Sequence, residues 1–229
     1  MLRIIIAIGL TILEYLRMAR RRKAMRSLAE QLGYDFKPDH DANLAANYHF
    51  LNHMEKGSNR FALNVITGHT PSGHLIRIFD NHYEGITLLE DFNKHCYHTV
   101  FTIALPDAMP ELTVAPQGII SKAADLIGWE NINFESYEFS KRYRVQSKDK
   151  KFAYDFCNAQ MMDYLLNQAD LVIEVENHVL CIVHNGLLRE DLIPKHHEHI
   201  LNIHRLMPNY LFKSSPPPPL PKSSPAQTA

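Results

Sequence analysis

The sequence predicts an α+β fold: an antiparallel sheet, built from a meander and a C-terminal hairpin, with helices packed on it and a long N-terminal helix in front. Three observations carry this reading. Between Arg60 and Leu105, three β-branched and aromatic segments alternate apolar and polar residues across short turns, the pattern of sequential antiparallel strands. Leu171–Glu176 and Val179–His184 repeat that alternation on either side of Asn177-His178, a pair suited to a tight reversal. Apolar residues at helical spacing flank both regions.

The chain opens on Ile4–Leu13, apolar except for Gly9 and Thr11 and followed by Glu14. Arg17, Arg20, Arg21, Arg22, Lys23 and Arg26 come next, against a single Arg3 in front. Residues 1–34 hold seven Lys/Arg and two Asp/Glu, a surplus of five, so the rest of the chain carries −6 of the total of −1. A basic end on an acidic body points that end at an anionic surface, and lipid headgroups are the nearest candidate. Ile4, Ile5, Ile6, Ile8, Leu10, Ile12 and Leu13 are the expected membrane anchor, and the six cations from Arg17 to Arg26 the expected headgroup contacts. Met1–Leu16 would rise about 24 Å as a helix, short of a full span but within reach of a thinned bilayer. Ile4-Ile5-Ile6-Ala7-Ile8 has no polar face, which favours insertion over lying flat. A cleaved signal peptide would place its charge before the apolar run. A soluble helix packed into the protein's own core is the other reading. If the segment inserts, its basic flank holds the body in the cytoplasm, at the inner membrane. No Pro or Gly interrupts Leu10–Leu32 and Gly33 stands where a left-handed cap belongs, so anchor and stalk form one helix leading into the body.

In the body, Lys37–Asn47 is turn-rich and then weakly helical. Arg60–Thr67, Leu75–Tyr83 and His95–Leu105 are the strands of the meander. Pro106, Pro110 and Pro116 punctuate a short extended piece at Leu112–Ala115. Ser121–Ile127 reads as a short helix, Arg142–Gln146 as a strand, and Lys150–Cys157 and Ala159–Asn167 as two helices. The last helix runs from about Leu188 to Met207, with Ile193, Ile200, Ile203 and Met207 on one face and Pro194 in its first turn. Ser214–Ala229 is rich in Pro and Ser and cannot bury enough apolar surface to offset its ordering entropy. The division is therefore 1–33 anchor and stalk, 34–212 α+β domain, 213–229 tail.

No catalytic motif stands out. Histidine is the enriched reactive type, with 14 residues, densest at His196-His197-Glu198-His199. His196 and His199 are the candidate metal ligands, three apart on a helix. Leu201 stands where the second His of an H-E-x-x-H motif would fall, and a solvated helix face is the competing reading. His49 and His53 are four apart and read the same way. Asp80 and His82 share a strand face, so an Asp-oriented general base is one possibility there and a strand-end hydrogen bond the other. The glycines form no phosphate-binding loop, and no cofactor is expected. Phe134, Tyr137, Phe139 and Tyr143 interleave with Lys141, Arg142 and Arg144. With Glu135 and Glu138 beside them they read as strand alternation rather than a nucleic-acid surface. Cys96, Cys157 and Cys181 are odd in number and share no short spacing, so they read as reduced, half-buried thiols.

The stretches Leu28–Phe36 (LAEQLGYDF), Asn64–Gly68 (NVITG), Ile78–Tyr83 (IFDNHY), Val100–Pro106 (VFTIALP) and Ile132–Ser147 (INFESYEFSKRYRVQS), with the helix Ala159–Leu166, carry a resemblance. On them the chain resembles a family of uncharacterised bacterial proteins with a short N-terminal membrane helix, a basic stretch and a cytoplasmic α+β domain. The resemblance implies a membrane anchor and no particular activity. Glu14 and the shortness of the apolar run depart from it. The function expected from the sequence is a membrane-tethered, non-enzymatic domain that binds a protein or small ligand, with no nucleic acid. A metal-dependent hydrolase using the histidines and a soluble cytoplasmic protein are the alternatives.

Overall fold

The computed structural model describes residues 2–85, 94–118, 130–168 and 170–212, with residues 2–8, 10, 94 and 130 described by backbone alone. The expected helix at Ser121–Ile127 and the Pro-rich tail lie outside the described residues.

Helix α1 runs unbroken from Leu2 to Leu32, as the missing breakers predicted. It ends on Gly33 at φ 67°. There the Tyr34 amide donates to the Ala29 carbonyl at 2.8 Å and the Gly33 amide to Glu30 at 3.3 Å, the paired bonds of a Schellman cap. Among the described side chains of α1, those that pack on the body lie in its second half. Arg21, Met25, Leu28 and Ala29 are buried, while Ile12, Leu13, Tyr15 and Leu16 are more than half exposed. Among the described residues, no helix is long and apolar enough to cross a membrane.

Among the described residues, seven strands form one antiparallel sheet. They are β1 (Asp35–Lys37), β2 (Ser58–His69), β3 (Leu75–Gly85), β4 (Lys94–Pro116), β5 (Glu130–Asn131), β6 (Tyr143–Ser147) and β7 (Val172–Asn185). The order is β1-β2-β3-β4-β6-β5, and β7 lies on β4. The meander of β2, β3 and β4 matches the expectation from alternation. Tyr34 lies so close over β2 that a Cβ at Gly68 would stand 2.2 Å from its ring.

Two expected details are corrected. The extended piece at Leu112–Ala115 is the far end of β4, which continues through Pro106 and Pro110. Between the pairs Ala104–Val179 and Leu112–Val175 the ladder shifts register, with residues 105–111 of β4 set against 176–178 of β7. Prolines lack the ladder donor and are tolerated where pairing is interrupted. The C-terminal hairpin is the second correction. Both arms lie on β4 as one strand, with Asn177 at φ 51° facing Met109. A left-handed residue inside a strand makes a bulge when a partner long enough for both arms lies alongside. The bulge also explains the sequence pattern: Ile173 and Val175 before it and Leu180 and Ile182 after it enter the same core.

Four of the other helices are short, and each is capped by a side chain. Asp41, Ser136, Asp149 and Asn158 accept backbone amides at the starts of α2 (Ala42–Ala46), α3 (Tyr137–Arg142), α4 (Lys150–Phe156) and α5 (Ala159–Leu166). α3 replaces the strand alternation expected around Phe134–Tyr143, and it buries Phe139. α6 spans Ile193–Leu206 with Pro194 in its first turn. The larger core lies between one sheet face and α1, α4, α5 and α6. A smaller one, around Phe79, Val100 and Val183, lies under Tyr48, Leu51 and Met54 on the other face.

Candidate functional site

Where α1 meets the sheet, one of the six stalk cations departs from expectation. Arg17, Arg20, Arg22, Lys23 and Arg26 are exposed, as headgroup contacts require. Arg21 is not: it is 1% exposed, because the same helical turn that presents its neighbours to solvent turns it onto the sheet. Its Nε and Nη2 donate to the Asp80 carboxylate at 3.1 and 2.7 Å, and Nη2 also reaches Thr99 Oγ1 at 2.9 Å. Nη1 donates to the Leu188 carbonyl. Asn64 Nδ2 donates at 3.0 Å to Asp80 Oδ2, the oxygen that also accepts from Arg21 Nε. The ion pair is thus fully hydrogen-bonded, the condition for a buried charge to be tolerated. Outside this lock, Leu13, Leu16, Arg17 and Arg20 line an open cleft of about 430 Å³ against Leu187 and Arg189. Of the expected anchor residues, Ile12 and Leu13 are exposed; the side chains of Ile4, Ile5, Ile6, Ile8 and Leu10 lie outside those described.

The histidines of α6 disperse in direction rather than converge. His196 stacks on Phe101 at 5.6 Å and its Nδ1 donates to the Leu192 carbonyl at 3.1 Å. His199 Nδ1 is 2.7 Å from the Tyr164 hydroxyl, and His197 packs edge-on to Tyr34. His196 and His199 do stand with ring centres 5.5 Å apart, both buried, which corrects the solvated-face reading. Burial pushes the imidazolium of His199 down to about 4. Among the described residues, no group of three or more His, Cys, Asp or Glu is placed to hold a metal ion. Asp80 and His82 do not form the expected pair. Asp80 belongs to the Arg21 lock, while His82 Nδ1 bonds the Asn59 carbonyl at 3.1 Å and Nε2 meets His95 at 2.8 Å.

A second polar constellation was not singled out in the sequence. It lies where β6, β4 and β7 run side by side. Thr113 of β4 pairs with Gln146 on one side and Glu174 on the other, so the three form one row on the face away from the larger core. All three are buried. One step along the same strands on the same face come Glu111 and Glu176, with Lys148 Nζ 3.7 Å from the Glu111 carboxylate. The segment before β2 closes over the row. His53 Nδ1 donates to Glu174 Oε1, and Asn52 Nδ2 donates to Thr113 Oγ1 at 3.3 Å. Glu174 Oε2 and Gln146 Nε2 are buried without a partner among the described residues. Desolvation, with Glu111 and Glu174 nearby, raises the Glu176 carboxyl to about 7. Desolvation also raises Glu111, against the opposing pull of Lys148. Perturbed carboxyls beside unsatisfied buried polar atoms mark a binding-site candidate. His53 stood in the sequence as one of a pair with His49, but the two diverge: His49 Nδ1 donates to the Ala46 carbonyl at 2.7 Å. Alternation could have placed Glu174 and Glu176 on one face; the β4 register that adds Glu111 could not be read.

Fold and site together define a mixed α+β domain with one antiparallel sheet, carried on a long N-terminal helix. No family model matches the chain and no curated protein matches it. Among solved structures it is similar to the mycobacterial trehalose monomycolate transport factor A, TtfA, with 14% identity and a TM-score of 0.61, over 83% of this chain and 96% of that one. At that identity the likeness is one of fold.

Proposed function

We propose that this protein is a membrane-attached binding domain without catalytic activity, held at the cytoplasmic surface by α1 and carrying its ligand site on the body. The observation that carries this is the two-sided character of α1. Its Arg21 turn is bonded into the sheet, while about one and a half to two and a half turns earlier Ile12, Leu13 and Leu16 stand more than half exposed. Apolar side chains left uncovered beside a run of exposed cations suit the headgroup boundary of an anionic bilayer. Burying each one contributes about 1.5–3 kcal/mol, and each cation near the surface about 1 kcal/mol. TtfA, a transport factor by description, is compatible with a role in binding rather than turnover.

The test is fractionation of cells expressing the full chain, lysed without detergent. The protein is expected to sediment with membranes, and replacing Ile12, Leu13 and Leu16 with Ser is expected to move it to the supernatant. Wild-type protein found wholly in the supernatant would reject the attachment.

A further inference from the structure

We propose that the polar face of β4, β6 and β7 binds a small organic ammonium ion that carries a hydrogen-bond acceptor beside its charge. This rests on the reading of the body as a binding domain and names its ligand class.

Three carboxylates, Glu111, Glu174 and Glu176, share one face of two adjacent strands. Lys148, 63% exposed at the rim, reaches the Glu111 carboxylate, His53 contacts Glu174, and Lys56 lies close enough to Glu174 for their charges to interact. Glu174 is 2% exposed, and only one of its carboxylate oxygens has a partner among the described residues, the bond from His53. A buried carboxylate oxygen left without a donor costs free energy that a ligand cation can return as a charge-assisted hydrogen bond. Burial raises the Glu176 and Glu111 carboxyls at the other end of the cluster, and the neighbouring carboxylates add to that rise.

No three metal-ligating groups among the described residues are placed to hold a metal ion. An ammonium group on an organic stem instead brings up to three donors to carboxylates. Across Thr113, the buried Gln146 amide offers a donor with no partner among the described residues, and that calls for an acceptor on the same ligand. Access follows the burial gradient: Glu111 and Glu176 are half-buried at the rim and Glu174 lies beneath.

Ethanolamine is the probe, titrated calorimetrically into the full chain purified in detergent. One saturable site is expected at about pH 8, and none for ethylene glycol, which matches it in length and lacks the charge. Glu174→Gln is expected to weaken binding on the order of tenfold, and Glu176→Gln several-fold. Should Glu174→Gln not fold, the half-buried Glu176→Gln still decides. Binding should weaken from about pH 8 to about pH 6 as Glu176, facing Glu111, Glu174, Lys148 and His49, takes up a proton, and Glu176→Gln should flatten that dependence. No saturable ethanolamine binding, an equal response to ethylene glycol, or binding unchanged in both variants would overturn the proposal. Membrane attachment is read separately by fractionation, so loss of either result leaves the other standing.

Discussion

Arg21 and Asp80 face each other in two parallel hydrogen bonds at 3.1 and 2.7 Å, with 1% and 0% of their side chains exposed. Arg21 belongs to the N-terminal helix and Asp80 to the middle of the meander, so this pair is the polar bolt between stalk and body. Removing one partner leaves a buried charge uncompensated, which costs about 3–5 kcal/mol. Asp80→Asn and Arg21→Met are each expected to lower stability by about that amount in urea unfolding. The double variant Arg21→Met, Asp80→Leu should recover much of the loss. Single variants within about 1 kcal/mol of wild type would show that the pair does not hold the helix.

Asn177 sits at φ 51° inside β7, a conformation that Asn tolerates and β-branched residues do not. Asn177→Val is expected to cost about 1–3 kcal/mol, whereas Asn177→Gly should be close to neutral. Thermal unfolding of the two variants checks this, and equal losses would mean that the bulge is not what the position requires.

Gly68→Ala places a methyl group 2.2 Å from the Tyr34 ring. The ring must move, breaking the 3.1 Å hydrogen bond from Tyr34 to the His69 carbonyl. A loss of about 1–3 kcal/mol is expected. Adding Tyr34→Ala should make the Gly68→Ala step much smaller, and independent, additive losses would argue against the contact.

Acid should destabilise the protein between about pH 6.5 and 4. Burial holds His98 down to about 3, and His199 and His204 down to about 4, against an ordinary value of 6.5. Their stabilising contribution is present above 6.5 and is lost as pH falls towards the folded values, because only the unfolded chain takes up those protons. Glu176 opposes this: raised from 4.5 to about 7, it contributes stability present below 4.5 and lost as pH rises through 7. Glu111, also raised by burial, opposes it too, but His82, His196 and His197 are lowered by burial like the three histidines above, so the urea midpoint should fall on acidification, and His204→Phe should make the fall shallower. A midpoint constant from about pH 7 to pH 4 would contradict the assignment.

Much of the fold was legible because period and breakers act locally. The α1–Gly33 cap, the meander and the amphipathic face of α6 each follow from spacing within a short window. What could not be read depends on partners distant in sequence. Asn177-His178 looks like a reversal until β4 is known to run alongside both arms, and Pro106 looks like a strand end until the register shift excuses its missing donor. The same holds for the sites. Arg21 is indistinguishable from Arg20 and Arg22 in a basic run, and only the 100° step per helical residue decides which one meets Asp80. Glu174 reads as one polar position in an alternating strand; its row with Thr113 and Gln146 exists only across three strands.

The continuity of α1 makes it a strut with a fixed length and a fixed bearing. From Arg21 back to Thr11 it rises about 15 Å, and there is no hinge residue in that stretch. Whatever surface holds the far end therefore also sets how high the body stands and which way it faces. Inserting one residue between Arg17 and Arg21 would swivel the body by about 100° at almost unchanged height, and inserting a full turn would lift it by about 5 Å with its heading nearly restored.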